Sequence, residues 1–597
     1  MNTKEWMEKI NRTKEKINKK AIKDTIVEII KILFIINMIN LMQMIIGKEY
    51  ILTQTKEIIL GEPILWRKIL NYSLLIILAL YLLIYAISNR KKLSLMLTTI
   101  FLFIFESINY FVFQIRGVAL SLSDILSIGT ALGVANGITI KIDGLYLIGC
   151  IVMISTIAII GVYYKRKTKT KLVNRIIYTI IGISIFIFVS GTQIVANIET
   201  WRINVSYEMY GSKLVFVNLV KNYKVNKPED YNSKEVTKIL ASYDKAENVK
   251  YNDNPNIIVI MNESFTDYLH SDLILNEDNI PYFHKLQKEE NAITGIMHSS
   301  CFGGNTANVE YEFLTQNSMS FLPVGAVPYQ QFINQRTNSI VKKMEDFNYK
   351  TYGIHTWGKQ GYSRGKVYKE LGFDHYAFQE DYDDLQCGEN GYPTDESSYS
   401  KIIEILENKP KEEKIFSFNV TMQNHMPYNV INENAKTYSN NIIANIYLQR
   451  ENESDKALEK IVEYLKNYDE KVVLLFFGDH QPNLRISQLN DNEEEKYKVP
   501  YLIWANYDIE EKNYGDTSAN YLQSMLVEVA NLPKDKYTNY ISSIREEIPV
   551  ITTQYYIGND GIKYNLNDEN SPYYSKMQEY NKIVYYQMFD NESSVKN

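Results

Sequence analysis

Five long apolar runs, all within the first 200 of 597 residues, constrain this chain more than any other feature. Residues 25–46, 71–88, 94–115, 144–164 and 176–197 are each dominated by Ile, Leu, Phe, Val and Met. Each is near the roughly 20 residues that cross a hydrocarbon core of about 30 Å. With no water there to pair backbone groups, such segments must satisfy them internally, so the runs predict helices. No later window compares: 472–477 is far too short and reads as a buried strand. Residues 1–23 carry eight Lys/Arg, and the run behind them is too long for the core of a cleaved leader.

Basic residues also crowd Arg90-Lys91-Lys92 and the 165–175 loop, whereas the 117–143 connection has one, Lys141. Positive-inside bias therefore predicts a cytoplasmic N-terminus and, after five crossings, an extracellular C-terminal part. The first outer loop runs against the bias with Lys48, Lys56, Arg67 and Lys68. Charge divides along the same line: residues 1–197 hold 24 basic and 11 acidic side chains, the remainder 40 and 59. So acidic an outer part excludes nucleic acid as a partner, because phosphate contacts need clustered Lys/Arg. Cys150, Cys301 and Cys387 are too few and too scattered for a disulfide framework or a zinc knuckle.

The expected organisation is a five-helix membrane domain over 1–197, a polar helical linker over 198–250 broken at Pro228, a catalytic domain over 251–515, and an accessory part over 516–597. Residues 121–135 are expected to form a short helix at the outer interface. Beyond 250, strand-like runs at 256–261, 350–354, 414–420, 471–477 and 499–504 alternate with helical patterns such as 340–347 and 454–468. That alternation predicts an α/β domain with a largely parallel sheet. Ligands of such sheets bind beyond the carboxyl ends of the strands. Glu263, His355, His425 and the pair Asp479-His480 all follow predicted strands and fall where one cleft would be.

Gly303-Gly304-Asn305-Thr306 precedes a helical stretch, so Thr306 would sit at a helix N-terminus, which favours phosphate and a developing alkoxide. A Thr hydroxyl is a weak nucleophile until a metal or base lowers its pKa. Glu263, Thr306, Asp479 and His480 together make an oxygen-rich set with one nitrogen, suited to Mn²⁺ or Mg²⁺ and compatible with Zn²⁺. Taken singly, each has an ordinary alternative: an N-cap Thr, a strand-end turn pair, a solvated carboxylate. His425 could bind a phosphoryl oxygen, act as acid or base, or be a satisfied loop residue. Arg364, with His355 and Tyr362 nearby in sequence, could hold phosphate bidentately or lie on the surface. Glu106 within the third span is costly unless it faces the bundle or a headgroup. Cys301, a rival nucleophile, lacks the Cys-x-Pro-x-Arg setting of sulfatase maturation sites, with Gly303 and Asn305 in those places.

These segments together resemble the lipoteichoic acid synthase family of membrane phosphoglycerol transferases, in the alkaline phosphatase and sulfatase superfamily. The likeness is carried by Asn262-Glu263-Ser264-Phe265, Gly304-Asn305-Thr306 with Glu310 and Phe313, Tyr362-x-Arg364, Asn424-His425-Met426-Pro427 and Gly478-Asp479-His480. It implies a sulfatase-like outer domain in which Glu263, Thr306, Asp479 and His480 hold one Mn²⁺-like ion. It further implies that Thr306 attacks phosphatidylglycerol, releases diacylglycerol and passes glycerophosphate to a polymer or glycolipid hydroxyl. His355, Tyr362, Arg364 and His425 would cradle the glycerophosphate. Three positions depart from the family pattern: Asn305 stands where Lys is usual, Tyr362 where Trp is frequent, and Trp357 replaces a polar residue. The competing expectations are a phosphoethanolamine transferase, a sulfatase- or phosphatase-like hydrolase, and a non-catalytic membrane sensor.

Overall fold

The computed structural model describes residues 3–48, 63–116, 120, 142–164, 170–196, 198, 203–221, 224–244, 254–269, 277–323, 325–359, 361–484 and 494–591. The helix expected within 121–135 lies outside them, as do residues 165–169 of the 165–175 loop. The described residues fall into two compact units, one up to 221 and one from 224 onward.

The first unit holds α1 (Thr3–Ile46), α2 (Pro63–Ser88), α3 (Lys91–Arg116), α4 (Gly144–Tyr163), α5 (Leu172–Ser190) and α6 (Ile203–Lys221). Helices α1 to α5 each contain a stretch long and apolar enough to cross a membrane. Between them α1 packs against α4, and α2 against α5. The fifth apolar run, expected over 176–197, is helical earlier, over Leu172–Ser190; Gly191 then closes the helix, its N–H donating to Ile187 and Phe188 carbonyls. Residues 203–221, within the expected polar helical linker, form α6, which is less polar than expected and buries Leu214, Val215 and Val217 beside Ile69, Val189 and Val195. Glu106 faces the bundle: it is fully buried and accepts from Ser212 Oγ (2.5 Å) and Asn109 Nδ2 (3.3 Å). Those donors offset the cost of a carboxyl in an apolar span.

The second unit begins with α7 (Ser233–Ser242) and is built on an eight-stranded sheet. In chain order follow β1 (Asn256–Asn262), α8 (Pro281–Leu286), β2 (Ala292–His298), α9 (Thr306–Thr315), α10 (Ile340–Asp346), β3 (Tyr349–His355), α11 (Arg364–Leu371) and β4 (His375–Phe378). Then come α12 (Asp395–Asn408), β5 (Lys414–Val420), α13 (Ile442–Lys466), β6 (Val472–Gly478), β7 (Lys498–Ala505) and β8 (Thr517–Ser518). The sheet order is β4-β3-β5-β1-β6-β7-β2-β8. The first five strands are parallel, whereas β7 runs antiparallel to both β6 and β2.

The central strands are apolar on both faces because helices cover both. Ile257, Val259 and Met261 of β1 join Val473, Leu475 and Phe477 of β6 in one core. Ile258 and Ile260 join Val472, Leu474 and Phe476 in the core on the opposite face. Helix starts carry local signals: Asn441 caps α13 by accepting from Ile443 and Ala444 N–H, and Thr394 caps α12 by accepting from Ser397 N–H. The tail contributes α14 (Ala519–Val529), α15 (Lys536–Glu547), a three-stranded antiparallel sheet of β9 (Val550–Ile551), β10 (Tyr555–Ile557) and β11 (Lys563–Asn565), and α16 (Tyr574–Tyr585). Strands β2 and β4 were not expected: β2, as long as β1, is partly exposed and lacks a strong apolar run, and β4 spans only four residues.

Candidate active site

Four neighbouring strands, in the order β3-β5-β1-β6, point their carboxyl ends to one side. His355 ends β3, His425 follows β5, Glu263 follows β1, and Asp479-His480 follows β6. The topology thus gathers all four sequence-predicted positions along one edge of the sheet.

The turn after β1 is held from both sides. Glu263 N–H donates to Thr421 Oγ1 at 3.0 Å, and Ser264, with φ of 55°, donates its N–H to Asp479 Oδ1 at 2.7 Å. Gly478 is required here for space: a Cβ on it would lie 2.0 Å from the Phe265 carbonyl oxygen. The strand ends can therefore approach until Glu263, Asp479 and His480 bring ligand atoms within 4.8 Å of one another, all three buried.

Thr306 joins them from α9. Gly303 (φ 65°), Gly304 (φ 148°) and Asn305 (φ 69°) form a left-handed approach to this helix, and Gly303 N–H donates to Gln481 O at 2.9 Å. That bond ties the Thr306 loop to the His480 loop. Thr306 Oγ1 lies 3.3 Å from Glu263 Oε2 and 3.5 Å from His480 Nε2.

The donor set has an acceptor surplus that a cation would resolve. His480 Nδ1 faces the Gln481 carbonyl at 3.1 Å; donating there leaves Nε2 with its lone pair. That lone pair lies 3.2 Å from Asp479 Oδ2, a buried oxygen with no hydrogen-bond donor among the described residues. Glu263 adds a second carboxylate, and the single Thr306 proton cannot serve them all. Two carboxylates, a hydroxyl and an imidazole fit a hard or borderline divalent ion. Burial pushes the Asp479 carboxyl up to about 6, with His480 lowering it and Glu263 raising it.

The predicted substrate residues divide into two groups. Arg364 is nearly fully buried, with Nη2 2.5 Å and Nε 3.0 Å from Glu310 Oε1. Its Nη1 lies 3.1 Å from His355 Nε2, and its guanidinium sits 5.2 Å from the Tyr362 ring centroid. His355 Nδ1 faces the Val420 carbonyl at 3.0 Å, so both its nitrogens are engaged by protein. Burial, then the Arg364 charge, holds His355 well below the usual imidazole range. His425 is different: partly exposed, it has Nδ1 on the Met426 carbonyl at 2.7 Å, and Nε2 has no partner among the described residues.

Two contributors were missed in sequence. Glu310 carries part of the family likeness, but its partnership with Arg364 was not foreseen; its place four residues after Thr306 on α9 was the available signal. Asp395, at the start of α12, accepts from Asn262 Nδ2 (2.6 Å) and Ser454 Oγ (2.6 Å), while Asn424 Nδ2 donates to Asn262 Oδ1 (3.1 Å). This network joins the residue before Glu263 to the residue before His425, and no local motif announces it. Cys301 is buried, and burial raises its thiol well above the usual range, which leaves it inert.

Residues 255–532 match the Sulfatase family. Two curated relatives come from Rhizobium meliloti (strain 1021). A protein provisionally assigned to cyclic beta-1,2-glucan modification is 27% identical over 391 residues, covering 60% of this chain and 59% of that protein. The capsular polysaccharide biosynthesis protein RkpI is 27% identical over 239 residues, covering 40% of this chain and 43% of its own length. The chain thus matches less than two thirds of either relative. Among solved structures, Streptococcus pyogenes phosphoglycerol transferase GacH in complex with sn-glycerol-1-phosphate is 21% identical with a TM-score of 0.50, covering 61% of this chain and 95% of that one. At that identity the likeness is one of fold. After five membrane-length helices, the chain carries an α/β domain whose residues 255–532 match the Sulfatase family.

Proposed function

We propose that this protein is a membrane-anchored transferase that moves glycerophosphate from phosphatidylglycerol to an acceptor hydroxyl through an ester on Thr306, releasing diacylglycerol. The observation that carries this reading is the Thr306 hydroxyl at a helix N-terminus, 3.3 Å from Glu263 and 3.5 Å from His480. Lysine/arginine asymmetry about the spans supports an extracellular site, where the outer leaflet supplies the lipid. The domain limits at 197, 250 and 515 are part of the proposal, with α6 assigned to the membrane-proximal part.

Glu263, Thr306, Asp479 and His480 would hold one divalent ion, Mn²⁺ by preference, with Mg²⁺ and Zn²⁺ as alternatives. Bound there, the ion supplies positive charge that eases ionisation of the hydroxyl and offsets phosphoryl charge. In the first displacement a Thr306 Oγ–P bond forms and the bond from phosphorus to the diacylglycerol oxygen breaks. The Thr306 proton has its acceptor in Glu263 Oε2, and His425, entering as the imidazolium with Nδ1–H on the Met426 carbonyl, gives its Nε2 proton to the departing alkoxide. In the second displacement His425 takes the proton of the acceptor hydroxyl, the acceptor oxygen bonds phosphorus, the Thr306 Oγ–P bond breaks, and Glu263 returns the proton to Thr306. Splitting the transfer in two lets one cradle serve both halves. Arg364 and Tyr362 would line the phosphate side, with His355 acting through Arg364.

The names of the two curated relatives favour a saccharide hydroxyl, on a glycan or glycolipid, as acceptor over a polyglycerol phosphate chain. Purified full-length protein, labelled phosphatidylglycerol and a chosen divalent ion test the reading. Diacylglycerol release, with a glycerophosphate adduct on the Thr306 peptide by mass spectrometry, is the expected result. Release unchanged in Thr306→Ala removes Thr306 as nucleophile; an ethanolamine phosphate adduct replaces the donor assignment.

A further inference from the structure

Trp357 lies two residues beyond His355, just past the carboxyl end of β3. Its backbone is pinned, since its carbonyl accepts from Gln379 N–H at 3.2 Å. Its indole makes a T-shaped contact with Tyr392, with centroids 4.8 Å apart and planes at 66°. Tyr392 is itself edge-on to His425, with centroids 5.2 Å apart and planes at 65°. The three rings form a row that runs from the free Nε2 of His425 outward to Trp357.

The inner members of this row are fixed and the outer one is open. Tyr392 is buried, 6% exposed, and donates its hydroxyl to the Met426 carbonyl at 3.1 Å. Burial, then the charge of Glu263, pushes that hydroxyl up to about 12. Trp357 remains partly exposed, and its indole N–H meets no acceptor among the described residues. A large aromatic side chain held against a packed tyrosine but left open on its other side presents apolar area and a hydrogen-bond donor together.

The loop segments joined to Trp357 and Tyr392 are polar. Lys359 and Glu380 are exposed there, with Lys359 N–H donating to Glu380 at 3.4 Å. Asn390 is partly exposed and bridges the loop, from Nδ2 to the Gln423 carbonyl at 2.8 Å and from Tyr392 N–H at 3.2 Å. An acyl chain would find little apolar continuity beyond the ring. A pyranose offers a face of C–H groups for the indole and a ring of hydroxyls for the polar rim.

We infer that Trp357, backed by Tyr392, is the acceptor subsite, a stacking platform for a pyranose unit that delivers a saccharide hydroxyl to His425. The inference rests on the proposed two-step transfer and names the chemistry of its second substrate. Because the platform serves only that substrate, it predicts separation of the two half-reactions.

Full-length wild type, Trp357→Ala and Trp357→Phe are compared, with a β-1,2-linked glucohexaose and glycerol as alternative acceptors. In Trp357→Ala, formation of the Thr306 adduct and the rate with glycerol stay at wild-type values. KM for the glucohexaose rises about tenfold or more at unchanged kcat, and Trp357→Phe recovers most of the loss. Glucohexaose binding is read independently of turnover, by the change in tryptophan fluorescence of the Thr306→Ala protein and its loss in Thr306→Ala/Trp357→Ala. An unaltered glucohexaose KM, or no glucohexaose-dependent fluorescence change, overturns the platform. A rise in KM for phosphatidylglycerol or phosphatidylethanolamine also overturns it, by moving the ring to the donor side. Absence of any Thr306 adduct defeats the reaction, whereas the fluorescence titration still decides the saccharide site.

Discussion

Glu310 grips Arg364 through a short Nη2–Oε1 contact of 2.5 Å, with both side chains at most 4% exposed. Tyr329 and Tyr368 hydroxyls also donate to Glu310 Oε2, at 3.1 and 3.3 Å. Since Glu310 lies one helical turn after Thr306 on α9, the same helix aims the proposed nucleophile and anchors the proposed phosphate-binding guanidinium.

A buried ion pair is costly to break from one side, because the survivor is left charged without a partner. Arg364→Ala and Glu310→Ala should each lower stability by about 3–5 kcal/mol. The double variant should lose less than the sum of the two. Thermal unfolding of the full-length protein checks this, while divalent-ion content should stay unchanged in Arg364→Ala. Loss of the ion in that variant would place Arg364 among the ligands instead.

The acceptor surplus around Asp479 predicts ligand-linked stabilisation. Adding Mn²⁺ at about 100 times its dissociation constant should stabilise the fold by about 2.7 kcal/mol, visible as a raised Tm that a chelator reverses. Asp479→Asn should abolish most of that increment, because it replaces a charged oxygen that has no protein donor. An equal Tm rise in wild type and variant would show that the ion binds elsewhere.

Gly478 separates β6 from the Phe265 carbonyl, and an added methyl would sit 2.0 Å from that oxygen. The oxygen belongs to the backbone and the backbone fixes the Cβ, so no rotamer change can relieve the overlap. Gly478→Ala should therefore cost about 1–3 kcal/mol or more and displace Asp479 and His480. Lower soluble yield together with weakened divalent-ion binding is the expected pair of outcomes.

His284 lies between Asp278 (2.7 Å) and Asp267 (3.1 Å), away from the metal ligands. Burial alone would lower its pKa, but hydrogen bonds to the two aspartates outweigh this and raise it to about 9. A folded-state pKa above the unfolded value means the stabilisation is complete below about 6.5 and lost as pH rises through about 9. Wild type should exceed His284→Gln by about 1 kcal/mol at pH 6, and the gap should close by pH 10. A difference independent of pH would assign His284 a packing role.

Elements with strong local patterns were legible in the sequence. The α/β alternation, the strands carrying Glu263 and Asp479, and the helix after Thr306 all followed from apolar runs bounded by glycine or capping residues. Less visible were β2, whose pattern is diluted by Gly295 and Thr294, and the packing of α6, a helical segment read as polar that buries Leu214, Val215 and Val217. Helix α13 also begins well before the expected 454, because Asn441 caps it upstream of the charged stretch.

The sequence alone determined the segments that must leave water, the parallel α/β character of the later half, and the residue types available at strand ends. These follow from hydrophobic length and period, which are properties of neighbours along the chain. Only the tertiary structure decided that Arg364 spends its charge on Glu310, that both His355 nitrogens are engaged while His425 keeps one free, and that Trp357 rests on Tyr392. Each of those facts is a contact between residues distant in sequence, whose energy depends on burial and hydrogen-bond geometry that no local pattern encodes.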